Sequence, residues 1–585
     1  MSRKELNEAA RGERPLDLLI KNANLINVFT CEIYSADIGI YGERFALTLP
    51  AGDCDLEAKQ IIDASGKWAA PGFIDAHLHI ESSMVTPANY AAAVLPLGTT
   101  TAIIDPHEIA NVFGKSGVRY MLEASQGLPL RVYLTIPTCV PSVPGKETSG
   151  AAFSAEDIQE MLSWERVIAE GEVMDYWGVV NGDARMQAIV EAGLRAGVTI
   201  QGHSPLLVGK ELNAYAAAGI DNDHELREGE EGLQKLRAGI LPILKLGSFG
   251  NHIRNILPTI QQVPFLEVAL CTDDVHPYDI LTKGHMDRVI REVIAHGIEP
   301  ALAYRWASLV GARNYQLKDH GAVAPGYLAD MVLLDSLKDV HVTDVFVNGQ
   351  YIAHDGHLLQ PIQEAPVTIN AANSMRLHHS FSRETFTLQA PIDEGNIAVN
   401  IIAYEPNRLT HLETITIPVK NMNLQLAEID EDLCFLTVVP RHGQTHPAQT
   451  VVLKGLGWTH GTLALTIAHD SHNLLVAGHD PQDMLLAAKA LQECGGGIAL
   501  AHEGKLLGCV ALPMAGLMST KPVDILAEEI GEVEKIAREF GIQATSPALA
   551  TAGLTLLVAP RVRLSDTEGL FNTTEKKKIT IFPEF

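Results

Sequence analysis

No Cys-x-x-Cys pair occurs in this sequence. The cysteines, Cys31, Cys54, Cys139, Cys271, Cys434, Cys494 and Cys509, are scattered, which argues against a thiolate zinc site and against a disulfide framework. Long apolar runs are missing as well. No stretch approaches the ~18 uninterrupted apolar residues of a membrane span. The charged start, MSRKELNEAARGERPLD, has no apolar core of a secretion signal. A reducing cytoplasm is the expected compartment, with no membrane partner. Positive charge is scarce: 44 Lys and Arg face 71 Asp and Glu, a net charge of −27. Such a chain has no general attraction for nucleic acid or an anionic membrane. The one basic run, EKKK at 575–578, reads as a solvated turn. Internal repeats and low-complexity tracts are absent too.

What remains is an ordinary globular composition, 46% hydrophobic and 20% charged. At 585 residues the chain exceeds a single hydrophobic core, so two or three domains are expected. Residues 17–64 alternate short apolar runs with turns and read as antiparallel strands. From 71 to 318, apolar strands alternate with amphipathic helices such as ARMQAIVEAGLRAG, the texture of a parallel α/β fold. Eight strand candidates end near His79, Asp105, Pro137, Glu172, His203, His224, Lys245 and Asp273. Eight βα units at this length predict a (β/α)8 TIM barrel. Residues 1–70 and 319–365 are expected to form the two parts of one small composite β-domain. Residues 361–390 are polar and irregular, as in a linker. Residues 366–585 mix strands with helices such as PQDMLLAAKALQECG, an expected C-terminal α+β domain.

The chemistry gathers at the strand ends. In PGFIDAHLHIESSM, His77 and His79 are two residues apart, so on a strand both point to one side. Asp75 and Glu81 are spaced along the same face. Two ordinary strand-end histidines would look the same. However, TIM barrels assemble their reactive groups at the C-terminal ends of several strands, and four further ends carry possible ligands: Glu172, His203, His224 and Asp273. Imidazole and carboxylate without thiolate suit Mn²⁺, Fe²⁺ or Zn²⁺. A carboxylate from the middle of the barrel can bridge two ions. Asp273 in TDD could alternatively cap a helix, and His107 and Glu108 in DPHE could be a turn and helix start. HDSHN places His469 and His472 three apart, on one face if helical.

Several stretches resemble the adenine deaminase family of the amidohydrolase superfamily: PGFIDAHLHIESSMVTP, GTTTAIIDPHEIANV, GEVMDYWGVV, GHSPLLVGKELNAYAAAGIDNDHE and CTDDVHPYDILTKGHMDRVIR. Beyond the barrel, TIAHDSHNLLVAG, GGGIALAHEGKLL and LPMAGLMS resemble that family's C-terminal domain. The resemblance implies a centre of two Mn²⁺ or Fe²⁺ ions. His77 and His79 would hold the first, His203 and His224 the second, with Glu172 bridging. Asp273, rather than its neighbour Asp274, would touch the first ion. It further implies hydrolytic deamination of adenine to hypoxanthine and ammonia, as in purine salvage. Asp273 would pass a proton from the attacking hydroxide to the leaving amine, and Glu108 or His107 would protonate the ring. Glu81, Ser82, Lys245, Ser248, His469 and His472 are the expected substrate contacts, and a homo-oligomer is the expected assembly.

One departure bears on substrate. Where the family typically shows Arg-Glu-Gly-Ser after the seventh strand, this chain reads Lys245-Leu246-Gly247-Ser248. Lysine does not reproduce the planar fork of arginine, and Leu246 removes a carboxylate that could pair with a purine N–H. Deamination of another amino-heterocycle or purine analogue is therefore the alternative. A non-catalytic metal-binding paralogue is a more distant one.

Overall fold

Eight strands follow one another in sequence order through a single sheet: Phe73–Leu78, Thr99–Ile104, Arg131–Ile136, Val167–Val173, Thr199–Gly202, Asn222–Asp223, Leu241–Lys245 and Ala269–Cys271. They come from a computed structural model that describes residues 2–248, 250–378, 380–405, 409–544 and 546–585. All neighbouring pairs are parallel. The ring closes where Leu78 bridges Asp273 in parallel and the Asp273 N–H donates to the His77 carbonyl at 3.1 Å. This is the (β/α)8 barrel that the alternation of apolar runs and amphipathic helices predicts. Its helices start and stop where the local chemistry says they should. Ala184–Ala196 is capped by Asp183, which accepts from the Met186 N–H, and ends at Gly197 with a left-handed φ of 68°.

The chain forms two compact units. The first comprises Met1–Pro106, Met121–Pro137 and Ser154–Val367, and holds the barrel strands and a second sheet. In that sheet Leu16–Asn27, Glu32–Tyr41 and Arg44–Pro50 are antiparallel neighbours. The expected antiparallel run stops there: Ala58–Asp63 pairs in parallel with Leu16–Lys21. The chain crosses back over 51–57 instead of turning in a hairpin, and a crossover returns it in the same direction. Beyond Lys21, Trp68–Pro71 pairs in parallel with the same strand at Asn24 and Leu25. Met331–Ser336 then pairs with Trp68–Pro71, so residues separated by all eight barrel strands share one sheet. Leu18, Ile20, Ile38, Phe45, Met331 and Phe346 are among the residues that form its core.

The second unit comprises His107–Tyr120, Thr138–Phe153 and Thr368–Phe585. Its nine-stranded sheet runs from Asn423–Leu424 at one end to Lys505–Ala511 at the other. Helix Pro481–Cys494 covers that sheet. Asp480 caps it by accepting from two backbone N–H groups, Pro481 opens it, and left-handed Gly495 ends it. Among the described residues no helix is long and apolar enough to cross a membrane.

Candidate metal centre

The first barrel strand delivers His77 and His79 side by side, with ring centroids 4.8 Å apart. Each ring is held through Nδ1. His77 Nδ1 lies 3.2 Å from Gln201 Oε1, and His79 Nδ1 lies 2.8 Å from the Asp105 carbonyl oxygen. Both Nε2 atoms are thereby aimed at a common centre, the usual role of a partner on the second imidazole nitrogen. The fourth strand brings in Glu172, whose backbone N–H donates to Asp105 Oδ2 at 2.8 Å. The preceding Gly171 is required for this approach, because a Cβ there would sit 2.1 Å from Asp105 Oδ2.

Glu172 divides its two oxygens between two pairs of histidines. Oε1 is 3.4 Å from His77 Nε2 and 3.1 Å from His79 Nε2. Oε2 is 3.4 Å from His224 Nε2 and in a short contact with His203 Nδ1. Asp273 is also split: Oδ1 lies 3.5 Å from His77 Nε2 and 3.3 Å from His79 Nε2, while Oδ2 accepts from Lys245 Nζ at 2.8 Å. Lys245 Nζ also pairs with Glu225. Asp273 does not cap a helix; His276 does that for Pro277–Lys283. Asp273 instead sits at the barrel closure with a left-handed φ of 61°, a conformation Asp tolerates better than most residues.

Burial opposes charge on all these groups, and their neighbours decide the outcome. Burial would lower His77, but Glu172 and Asp273 hold it up at about 9. His79 is likewise raised against its burial by Asp273 and Glu172. His224 goes the other way, pushed well below the usual imidazole range by burial and by His77. Burial would raise both carboxyls. Glu172 is nevertheless held well down by His203, His224 and His77, and Asp273 by Lys245.

A divalent ion fits this donor set. His77 Nε2 and both nitrogens of His224 are buried and have no hydrogen-bond partner among the described residues. A bound cation would satisfy His77 Nε2 and one nitrogen of His224. His77, Glu172 and His224 offer ligand atoms within 4.8 Å of one another, and so do His77, His79 and Asp273.

The remaining expected residues make contacts of their own. Glu81 does not continue the strand face. The strand ends at Leu78, and Glu81–Ser83 form a buried 3-10 turn. Ser82 donates to Asp274 Oδ1 at 2.5 Å, which accounts for the second aspartate of TDD. The Ser248 hydroxyl donates to Asp279 at 2.9 Å and accepts the His276 N–H at 2.8 Å, tying down the loop after the eighth strand. In the second unit, His107 and Glu108 open helix His107–Phe113. His107 Nε2 lies 3.9 Å from Asp470 Oδ1, and Glu108 Oε2 lies 3.8 Å from His472 Nε2. His469 and His472 are not on a helix face. They flank a turn in which the His472 N–H donates to the Ala468 carbonyl at 2.7 Å, with ring centroids 5.3 Å apart. Together with Glu108 they offer ligand atoms within 4.8 Å of one another.

Sequence reasoning passed over Gln201 and Glu225. Gln201 stands two residues before His203 on the fifth strand, so the two-residue period could have flagged it. Glu225 follows His224, and nothing in the sequence ties it to Lys245.

Residues 68–352 match the model of the amidohydrolase family, and residues 407–577 match that of the adenine deaminase C-terminal domain. The adenine deaminase of Clostridium botulinum (strain Langeland) is 37% identical, over 99% of this chain and 98% of that one. The chain belongs to the adenine deaminase family. Members from Kosmotoga olearia and Moorella thermoacetica are each 36% identical, over 98% and 99% of this chain and 98% of their own lengths. Membership of this family implies a divalent metal, and the cluster around Glu172 has the ligands to bind one.

Proposed function

We propose that this chain hydrolyses adenine to hypoxanthine and ammonia at the barrel centre, using two divalent ions, Mn²⁺ or Fe²⁺. The observation that carries the two-ion reading is Glu172, with one oxygen toward His77 and His79 and the other toward His203 and His224. The substrate is taken from full-length relatives that are adenine deaminases. They do not favour another amino-heterocycle or a non-catalytic binder.

Bound divalent ions supply Lewis acidity that brings the pKa of a coordinated water toward neutrality. The protein's own groups do the rest. Gln201 and the Asp105 carbonyl fix the ring orientations of His77 and His79. Asp273 takes one proton of the attacking water and returns it to the amine leaving C6, acting first as base and then as acid, and the water's other proton ends on ring N1 of hypoxanthine. Lys245 holds the other oxygen of Asp273, so that one face of the carboxylate stays turned toward the reaction. The same reading includes a role in purine salvage, a cytoplasmic location and assembly as a homo-oligomer.

The test is metal analysis of Mn²⁺-reconstituted protein beside an assay for ammonia and hypoxanthine across a purine panel. Close to two ions per chain and turnover of adenine above the other purines are expected. Less than one ion per chain would overturn the two-ion reading. Absence of hypoxanthine in metal-loaded protein would overturn the reaction.

A further inference from the structure

Two of the scattered cysteines meet. Cys494 is the last residue of helix Pro481–Cys494, and Cys509 lies on Lys505–Ala511, the edge strand of the second unit's sheet. Their sulfur atoms are 3.9 Å apart. A disulfide needs about 2.05 Å between sulfurs, so closing one requires roughly 2 Å of approach by two side chains. Cys509 is exposed and Cys494 half-buried, so small oxidants can reach the pair. Cys54, Cys139, Cys271 and Cys434 are buried.

We propose that Cys494 and Cys509 form a redox-active dithiol that a peroxide converts to an intramolecular disulfide. Cys494 is the attacking group. Its thiol is drawn down to about 7, chiefly by the hydrogen bond with Cys509, while the same contact and burial push Cys509 up. The thiolate is the nucleophile in such chemistry. The Cys494 sulfur attacks one peroxide oxygen, the O–O bond breaks, and a sulfenic acid and water form once the leaving hydroxide is protonated. The Cys509 sulfur then attacks the sulfenic sulfur, and the hydroxyl leaves with the Cys509 proton as a second water. The two sulfurs together give up two electrons, the peroxide accepts two, and a thiol reductant reverses the change. The bond would tie the end of a helix to an edge strand that has no neighbour on its outer side among the described residues. Transient, redox-sensing disulfides of this kind are the sort a reducing compartment tolerates.

The experiment treats full-length protein with equimolar hydrogen peroxide, blocks remaining thiols with N-ethylmaleimide under denaturing conditions, and maps the peptides. The expected product is a Cys494–Cys509 cross-linked peptide in most chains, reversed by dithiothreitol, at a dose that leaves the exposed Cys31 alkylated. Before oxidation, Cys494 should react with the maleimide at pH 7 about tenfold faster than it does in Cys509→Ala protein, which lacks the hydrogen bond that draws its thiol down. Cys509→Ser should arrest Cys494 as a sulfenic acid trapped by dimedone, and Cys494→Ser should leave Cys509 reduced at that dose. If Cys31 is oxidised first, or the pair stays fully alkylated or cross-links only between chains, the proposal is wrong. Because none of these readouts involves adenine turnover or metal, they stand or fall independently of the barrel chemistry.

Discussion

Lys245 Nζ lies 2.8 Å from Asp273 Oδ2, while the other oxygen of that carboxylate faces His77 and His79. The ammonium is also paired with Glu225. The lysine that stands where the resemblance leads one to expect an arginine is therefore occupied by two carboxylates in this structure. Leu246, the other half of the departure, is buried, and its backbone N–H donates to the Cys271 carbonyl at 3.1 Å. The exchange bears on how Asp273 is held.

Lys245→Met tests this arrangement. It removes the ammonium shared by two buried carboxylates, a change that costs about 3–5 kcal/mol when a buried pair is broken. A lower Tm together with a loss of turnover is expected, read by thermal denaturation and by kcat on adenine. An unchanged Tm would mean that Lys245 is dispensable to the two acids. Lys245→Arg, which restores the cation, should recover most of the stability.

Asp273→Asn should reduce kcat by roughly a thousandfold, the scale of a lost general base. The side chain keeps its shape, so the fold should survive, as circular dichroism would report. A non-catalytic metal binder would show no difference between this variant and the parent in any turnover assay.

How much of this could be read beforehand follows from distance along the chain. Most barrel strands were legible as short apolar runs, and His77, His79, Glu172, His203, His224 and Asp273 stood out as candidates because they end or follow such strands. The contacts that tune them were not. Lys245 and Glu225 belong to different strand ends, and only the ring geometry brings them together. Cys494 and Cys509 meet because a helix ends beside an edge strand, which no spacing rule announces. Glu81 misled for a local reason: the two-residue period holds only while the strand continues, and it stops at Leu78. For His469 and His472 three-residue spacing would have meaning only on a helix, and they lie at a turn.

Glu172→Gln should lower bound metal more than removal of any single histidine. One histidine serves one side of the cluster, whereas Glu172 faces both. Elemental analysis after reconstitution should find less than one ion per chain for this variant and an intermediate content for His203→Asn. Equal losses in the two variants would show that the carboxylate does not bridge.

Glu147 offers a pH test in the second unit. Its Oε1 accepts from Ser142 Oγ at 2.6 Å and the Val143 N–H at 2.7 Å, and Oε2 has no hydrogen-bond partner among the described residues. Burial, aided by the charge of Asp470, pushes this carboxyl from an ordinary 4.5 up to about 8. Below 4.5 it is protonated in both folded and unfolded chains and has no effect on the balance. Between 4.5 and 8 the unfolded chain ionises while the folded one keeps its proton, so stability falls as pH rises through this window and levels off above it. Glu147→Gln has no proton to lose and escapes the fall. Its Tm relative to the parent should therefore climb from pH 5 to pH 8. The amide's own fit at Oε2 contributes equally at every pH, so the slope, and not the offset, is the readout. A Tm difference that stays constant from pH 5 to pH 8 would show that the folded protein ionises Glu147 normally.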